Sequence, residues 1–114
     1  MAFYETVFVL RQDLTTQQVQ DITSEFKTLL ADNKAKLLKE ENWGLRTLAY
    51  KIKKNKKGHY VLLENEASAE AIAEFERKLG LNENVLRFMT IKLEKPTEGP
   101  SAILSQKDVR DERK

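Results

Sequence analysis

Apolar residues recur along the chain with two different periods, and these periods divide most of it into alternating strands and helices. Period two, which is typical of strands, occurs at residues 3–10, 35–53, 59–66 and 84–94. Spacings of three and four residues, which are typical of a helix with one buried stripe, occur at residues 15–30 and 68–79. The pattern therefore predicts the order strand, helix, strand, strand, helix, strand.

The boundaries of these elements carry signals of their own. Thr15 and Gln18 have the spacing of a capping box, which marks the start of the first helix. Gly80 is expected to end the second helix in the left-handed conformation. Gly44 lies inside the long second strand and predicts a bulge there, and Gly58 is expected to close the hairpin that follows.

This order of elements predicts an α+β fold, because each helix connects strands of one sheet by a right-handed crossover. The expected architecture is a ferredoxin-like βαββαβ sandwich: a four-stranded antiparallel sheet of order 4-1-3-2 with both helices on one face. Residues 1–95 form the predicted domain. Residues 96–114 are polar and begin with helix- and strand-breaking Pro and Gly, so they are expected to form a flexible tail.

The sheet face without helices is expected to be apolar. In one assignment of the strand faces, the side chains that point to the helices are Tyr4, Phe8, Leu48, Ile52, Tyr60, Leu62, Leu86 and Phe88. The open face then collects Ala49 and the candidate partner-binding residues Phe3, Val7, Val9, Val61, Leu63, Met89, Ile91 and Leu93. Such a patch favours a protein partner, although a homodimer or a different strand register would also account for it.

Positive charge is concentrated in one part of the chain. Residues 36–57 hold eight Lys or Arg and two Glu, a local net charge of +6, whereas the other 12 basic and 16 acidic residues give −4. Clustered cations of this kind are expected where nucleic acid binds, although a solvated loop has the same composition. The candidate RNA-binding residues are Arg46, Lys51, Lys53, Lys54, Lys56, Lys57, Arg87 and Lys92.

Catalytic chemistry lacks its usual parts in this sequence. There is no cysteine, which excludes disulfides and thiolate ligands and agrees with a reducing compartment. The one histidine, His59, has no triad or metal-ligand spacing around it and is expected to be an exposed strand residue. Glu40 and Glu41 are consecutive in a strand, so they point to opposite faces and cannot act as a carboxylate pair. We therefore expect no enzyme, no metal and no cofactor.

The single-strand RNA-recognition domain has the same topology as the predicted fold, but it stacks bases on aromatic residues of its sheet. The corresponding positions of the third strand are His59 and Val61 here, so base stacking on the sheet is not expected. The N-terminus has no signal-peptide pattern, and no apolar run approaches the roughly 20 residues that span a bilayer.

Several runs of residues resemble the S6 family of bacterial small-subunit ribosomal proteins. They are Tyr4-Glu5, the run from Gly44 to Lys53 with its Gly-x-Arg-x-Leu-Ala-Tyr-x-Ile core, Gly58-His59-Tyr60 and Asn84-Val85-Leu86-Arg87. The resemblance extends from residue 1 to about residue 95.

The resemblance implies a structural protein of the cytoplasmic ribosome that binds the central domain of the small-subunit ribosomal RNA as a heterodimer with ribosomal protein S18. It implies no membrane and no small-molecule substrate. A net charge of only +2 agrees with an RNA binder that shares the task with a protein partner. The alternative is a self-associating cytosolic ferredoxin-like module that binds a small ligand or regulates another protein.

Overall fold

The computed structural model describes residues 2–52 and 54–95 of the chain. Its elements are β1 (Ala2–Arg11), α1 (Thr16–Asp32), β2 (Lys36–Ile52), β3 (Asn55–Ala67), α2 (Ala69–Leu81) and β4 (Val85–Leu93). The four strands form one sheet of order β2-β3-β1-β4, which is 4-1-3-2 read from the other edge, and the pairs are antiparallel. The predicted α+β ferredoxin-like fold is confirmed. The predicted tail, residues 96–114, lies outside the described residues.

The first helix begins where its capping box predicts. The Gln18 N–H donates to Thr15 Oγ1 at 3.1 Å, and the Thr15 N–H donates to Gln18 Oε1 at 2.8 Å. These reciprocal bonds satisfy two of the backbone donors that every helix start leaves without a partner. The same end of α1 is attached to the sheet, because His59 Nε2–H donates to the Leu14 carbonyl at 3.1 Å. His59 is thus half-buried, and the prediction of an exposed histidine is wrong.

The main core lies between the helices and one face of the sheet. Three rings meet at its centre edge to face: Phe8 lies 5.4 Å from Phe26 and 6.3 Å from Phe75, and the last two are 5.6 Å apart. Aromatic pairs prefer this geometry over face-to-face contact. The sheet side of the core is completed by Leu10, Val61, Leu63 and Val85.

A second buried cluster lies on the face without helices. It contains Val7, Val9, Leu48, Tyr60, Leu62 and Leu86, with Trp43, Ile52 and Ile91 packed against it. This cluster corrects the predicted faces, because Leu48, Ile52, Tyr60, Leu62 and Leu86 were expected to face the helices. The pairing decides the matter: Val61 lies opposite Phe8 and therefore shares its helix-facing side, which leaves Tyr60 and Leu62 on the open side.

Of the three predicted glycine roles, the one at Gly44 is confirmed and those at Gly58 and Gly80 are wrong. Gly44 has φ of +80° at a register shift of β2 against β3, which confirms the predicted bulge. Gly58, by contrast, lies inside β3, because Ile52 already pairs with Asn55 and the turn comes earlier. Gly80 does not end α2 in the left-handed conformation, since the helix continues to Leu81 and is capped by Asn82.

Candidate RNA and protein interfaces

The tip of the β2–β3 hairpin presents the cationic side chains. Lys51, Lys54, Lys56 and Lys57 are all exposed there, and Lys53 lies outside the described residues. Lys54 has φ of +69°, a conformation that a non-glycine residue adopts in a tight turn.

The tip is held in place by hydrogen bonds to the chain between β1 and α1. The Gln12 N–H donates to Asn55 Oδ1, and the Lys57 N–H donates to Gln12 Oε1, each at 3.1 Å. Asn55 is buried, and its Nδ2 also donates to the Ile52 carbonyl at 3.3 Å. These bonds give the exposed lysines a defined backbone position, which lowers the entropy that an ordered contact with RNA costs.

Of the other three candidate RNA-binding residues, Arg46 lies beside the hairpin, opposite Gly58, whereas Arg87 and Lys92 lie on β4. The Arg46 guanidinium lies over the Trp43 ring, with 5.8 Å between Cζ and the ring centroid, and its Nε–H donates to the Trp43 carbonyl at 3.1 Å. Lys92 pairs with Tyr4, which packs against the helix-facing core, so it lies on the helix side of β4. Arg87 pairs with Val9 and lies on the open side. The seven of these candidates that the structure describes therefore do not form one continuous surface, because Arg87 and Lys92 lie on opposite faces of β4.

An aromatic stack covers the open face on the β2 side. The rings of Trp43 and Tyr60 are nearly parallel, 6.0 Å apart at an angle of 17°, and Trp43 Nε1–H donates to Glu41 Oε1 at 2.8 Å. Tyr60, rather than His59 or Val61, is the β3 aromatic on the open face, which corrects the positions that the comparison with RNA-recognition domains assumed. Because Trp43 covers it and Tyr60 is buried, no base can stack on this ring.

Glu40 and Glu41 point to opposite faces of the sheet, as their consecutive strand positions predicted. Glu40 points to the helix side and accepts a hydrogen bond from Lys27 Nζ at 2.8 Å, whereas Glu41 contacts Trp43 on the open side. Two carboxylates that sequence reasoning missed, Glu5 and Glu64, lie directly opposite each other on the open face and are both buried. Glutamate is ordinarily exposed, so nothing in the sequence indicated that these two are buried.

The candidate partner-binding residues separate into two groups. Val61 and Leu63 are 1% and 0% exposed in the helix-facing core, so they cannot contact a partner, and this part of the prediction is wrong. The remaining six lie on the open face along β1 and β4: Phe3, Val7, Val9, Met89, Ile91 and Leu93.

A groove of about 320 Å³ runs along this part of the open face. Val7 and Val9 are buried at its floor, while Met89 at its side is 41% exposed. Arg87 also lines the groove and adds one cation to an apolar surface. We name the solvent-accessible part of this surface the β4 strip; it consists of the exposed Met89 and the half-buried Ile91 and Leu93 of β4, with the half-buried Phe3 of the neighbouring β1.

The described residues contain no group of three His, Cys, Asp or Glu side chains that would hold a metal ion. Within the same residues, no helix has the length and apolarity needed to cross a membrane. The lowered carboxyl pKa values belong to residues outside both sets of candidate interface residues, although Asp13 directly follows Gln12, which is hydrogen-bonded to the hairpin tip. Hydrogen bonds from Arg11 and Arg77 lower the pKa of Asp13 and Glu74 respectively, and both carboxyl groups are at the solvent-exposed surface.

Comparison with known proteins supports the fold and identifies a family. The family described as ribosomal protein S6 matches residues 3–92. Small ribosomal subunit protein bS6 of Rhodospirillum centenum is 51% identical over 113 residues, which cover 99% of this chain and 69% of that protein. The bS6 protein of Sinorhizobium fredii is 50% identical over 113 residues, covering 99% and 75%.

A solved structure supports the same architecture. The crystal structure of 30S ribosomal protein S6 from Thermotoga maritima superimposes with a TM-score of 0.77, covering 81% of this chain and 87% of that one. Its sequence identity is 22%, so this likeness concerns the fold alone. The sequence matches carry the assignment further: the chain belongs to the ribosomal protein S6 family of the bacterial small subunit, whose members are structural proteins of the cytoplasmic ribosome and not enzymes.

Proposed function

We propose that this chain binds the central domain of the small-subunit ribosomal RNA as a heterodimer with ribosomal protein S18. The hairpin tip contacts RNA phosphates, and the β4 strip docks the protein partner. The observation that carries the proposal is the division of the surface: exposed lysines gather at the hairpin tip, and an apolar groove lies on the sheet face that has no helix.

Phosphate contact follows from the charge and geometry of the tip. A net charge of +6 within residues 36–57 gives a local field that attracts a polyanion, although the whole chain carries only +2. Lys54, Lys56 and Lys57 are exposed, and each releases condensed counterions when it neutralises a phosphate. RNA affinity should therefore fall steeply as salt concentration rises.

The RNA part is tested by measuring how affinity depends on salt. Lys54→Ala, Lys56→Ala and Lys57→Ala should each shallow the slope of log affinity against log salt by about one unit or slightly less, and the triple variant should shallow it about three times as much. Lys78→Ala is the matched control, because Lys78 is an exposed lysine on α2, away from the hairpin. An unchanged slope in the triple variant would contradict phosphate contact by the tip.

Protein docking on the β4 strip follows from its position on an edge strand and from its solvent-accessible apolar side chains. β4 is an edge strand, so one side of its backbone has no neighbouring strand in this sheet. Burial of a side chain the size of Met89 contributes about 1.5–3 kcal/mol, and several such residues line the strip. The buried floor of Val7 and Val9 gives the docking surface a rigid support.

The docking part is tested with a matched pair of charge substitutions. Met89→Asp should abolish heterodimer formation in size-exclusion chromatography while the isolated chain still folds, because Met89 is already 41% exposed. Leu81→Asp is the control: Leu81 is also apolar and 66% exposed, but it lies at the end of α2 on the helix layer. Pairing of Met89→Asp with wild-type affinity would refute docking on the β4 strip.

A further inference from the structure

Tyr50 is an aromatic side chain that the fold leaves outside both cores. Its neighbours at even spacing, Leu48 and Ile52, pack in the open-face cluster, yet Tyr50 is 66% exposed. The pairing of β2 with β3 is irregular between Thr47 and Ile52, which breaks the alternation that would otherwise bury the ring. The ring therefore makes no large contribution to the core.

The surroundings of Tyr50 distinguish it from an ordinary exposed apolar residue. Lys51 follows it directly, and Lys54, Lys56 and Lys57 lie within the same hairpin, all of them exposed. Lysine is depleted at the centre of protein–protein interfaces, so an exposed ring in a lysine-rich hairpin is poorly suited to a protein partner. Aromatic rings beside backbone-tracking cations are, however, the usual arrangement for binding unpaired nucleotides.

From this arrangement we propose that Tyr50 stacks on an unpaired base of the RNA, so that the hairpin holds one base as well as phosphates. This inference rests on the proposed RNA-binding function of the hairpin. It assigns the stacking to the hairpin and not to the sheet, where Trp43 already covers Tyr60. Stacking tolerates any base but requires that the base be unpaired, which adds a preference for loops and bulges over duplex.

The experiment uses the full chain as a heterodimer with S18 and compares two RNA probes. One is a central-domain fragment with its unpaired nucleotides, and the other is a fully paired duplex of the same length. Tyr50→Ala should weaken binding to the fragment about tenfold without changing the salt slope, because stacking releases no counterions. The same variant should bind the duplex as the wild type does.

Two further variants at Tyr50 separate stacking from simple apolar contact. Tyr50→Phe keeps the ring and should bind the fragment within about twofold of the wild type. Tyr50→Leu keeps apolar surface without a π face and should be about as weak as Tyr50→Ala. Wild-type binding by Tyr50→Ala or by Tyr50→Leu would overturn the proposal, and so would a loss of heterodimer with unchanged RNA affinity, which would assign Tyr50 to the protein partner.

The lysine variants make the two failures distinguishable. If Lys54→Ala and Lys56→Ala shallow the salt slope but Tyr50→Ala has no effect, the stacking proposal alone is overturned. If neither the lysines nor Tyr50 affects RNA binding, the RNA-binding function of the hairpin fails as well.

Discussion

Replacing Gly58 by alanine should destabilise the domain, because the position has no room for a methyl group. A Cβ atom there would lie 2.3 Å from Val9 Cγ1, 3.2 Å from the Leu10 carbonyl oxygen and 3.7 Å from Leu48 Cδ2. Carbon atoms in contact are about 3.5–4.0 Å apart, so the methyl and Val9 must separate by more than about 1 Å. Val9 is buried and cannot move away freely.

Overpacking of this kind costs about 1–3 kcal/mol, of which about 0.4–1 kcal/mol is offset by the lower entropy of the unfolded chain. At the middle of these two ranges the net cost is about 1.3 kcal/mol. For a domain of this size, each kcal/mol lowers the thermal midpoint by about 4–8 °C, so we expect a fall of roughly 5–10 °C. Circular dichroism during heating measures it.

Gly80→Ala is the matched control for this prediction. A Cβ at Gly80 would meet nothing within 4 Å, and Gly80 lies inside α2 without a positive φ. Alanine should stabilise the helix there by about 0.5–1 kcal/mol. A Gly58→Ala variant as stable as the wild type would refute the packing of β3 against Val9, and with it the placement of Gly58 inside the strand.

The remaining predictions concern the core, a helix cap and an ion pair. Val61→Asp should unfold the isolated domain, because it buries a charge in the helix-facing core at a cost of several kcal/mol. Met89→Asp should leave the thermal midpoint nearly unchanged. A folded Val61→Asp variant would contradict the assigned faces of the sheet. Thr15→Ala should lower the free energy of unfolding by about 1 kcal/mol in denaturant titration, through loss of the N-cap, and no loss would show that the capping bonds are not formed in solution. Arg77→Gln should raise the pKa of Glu74 toward its ordinary value of 4.5 in an NMR titration. The lowered pKa of Glu74 stabilises the fold above pH 4.5, and this contribution is lost as the pH falls through the folded-state pKa, so an unchanged titration midpoint would refute the ion pair.

The fold could be predicted because its signals are local and mutually consistent. Strand and helix periods alternate along the chain, and the capping box of Thr15 and Gln18 marks a helix start within four residues of sequence. Handedness rules then leave few ways to connect these elements. Most element ends lie within two residues of the predicted ones because these signals lie close to the ends themselves, and the start of β3, at Asn55 instead of residue 59, is the exception.

The faces of β3 could not be predicted in the same way. Val61 and Leu63 are apolar, but so are Tyr60 and Leu62, so the period of two gives no preference for either face. The choice depends on register with β1, which is a long-range property, and a shift of one residue exchanges every side chain between faces. For this reason Val61 and Leu63 were wrongly assigned to the partner surface.

The turn of the hairpin was misplaced because its sequence lacks the usual residues. Turns with positive φ favour glycine, so the turn was predicted at Gly58. The structure instead places Lys54 in that conformation. Gly58 serves a different need, the close approach of β3 to Val9. Glycine marks both situations, and sequence alone does not separate them.

The candidate sites were predictable only where their residues lie close together in the sequence. The cationic hairpin appears directly as a run of lysines, and four of its members are exposed at the tip. The stack of Trp43 on Tyr60 joins residues of different strands, and the exposure of Tyr50 depends on an irregular pairing. Neither has a signature within its own segment.

The most direct test of the proposed function is the composition of the complex that this chain forms. Analytical ultracentrifugation of the chain with ribosomal protein S18, and then with the central-domain RNA fragment, should give a 1:1 heterodimer and then a particle with one copy of each component. A homodimer of the chain that neither S18 nor the RNA converts would contradict the proposal and favour a self-associating module.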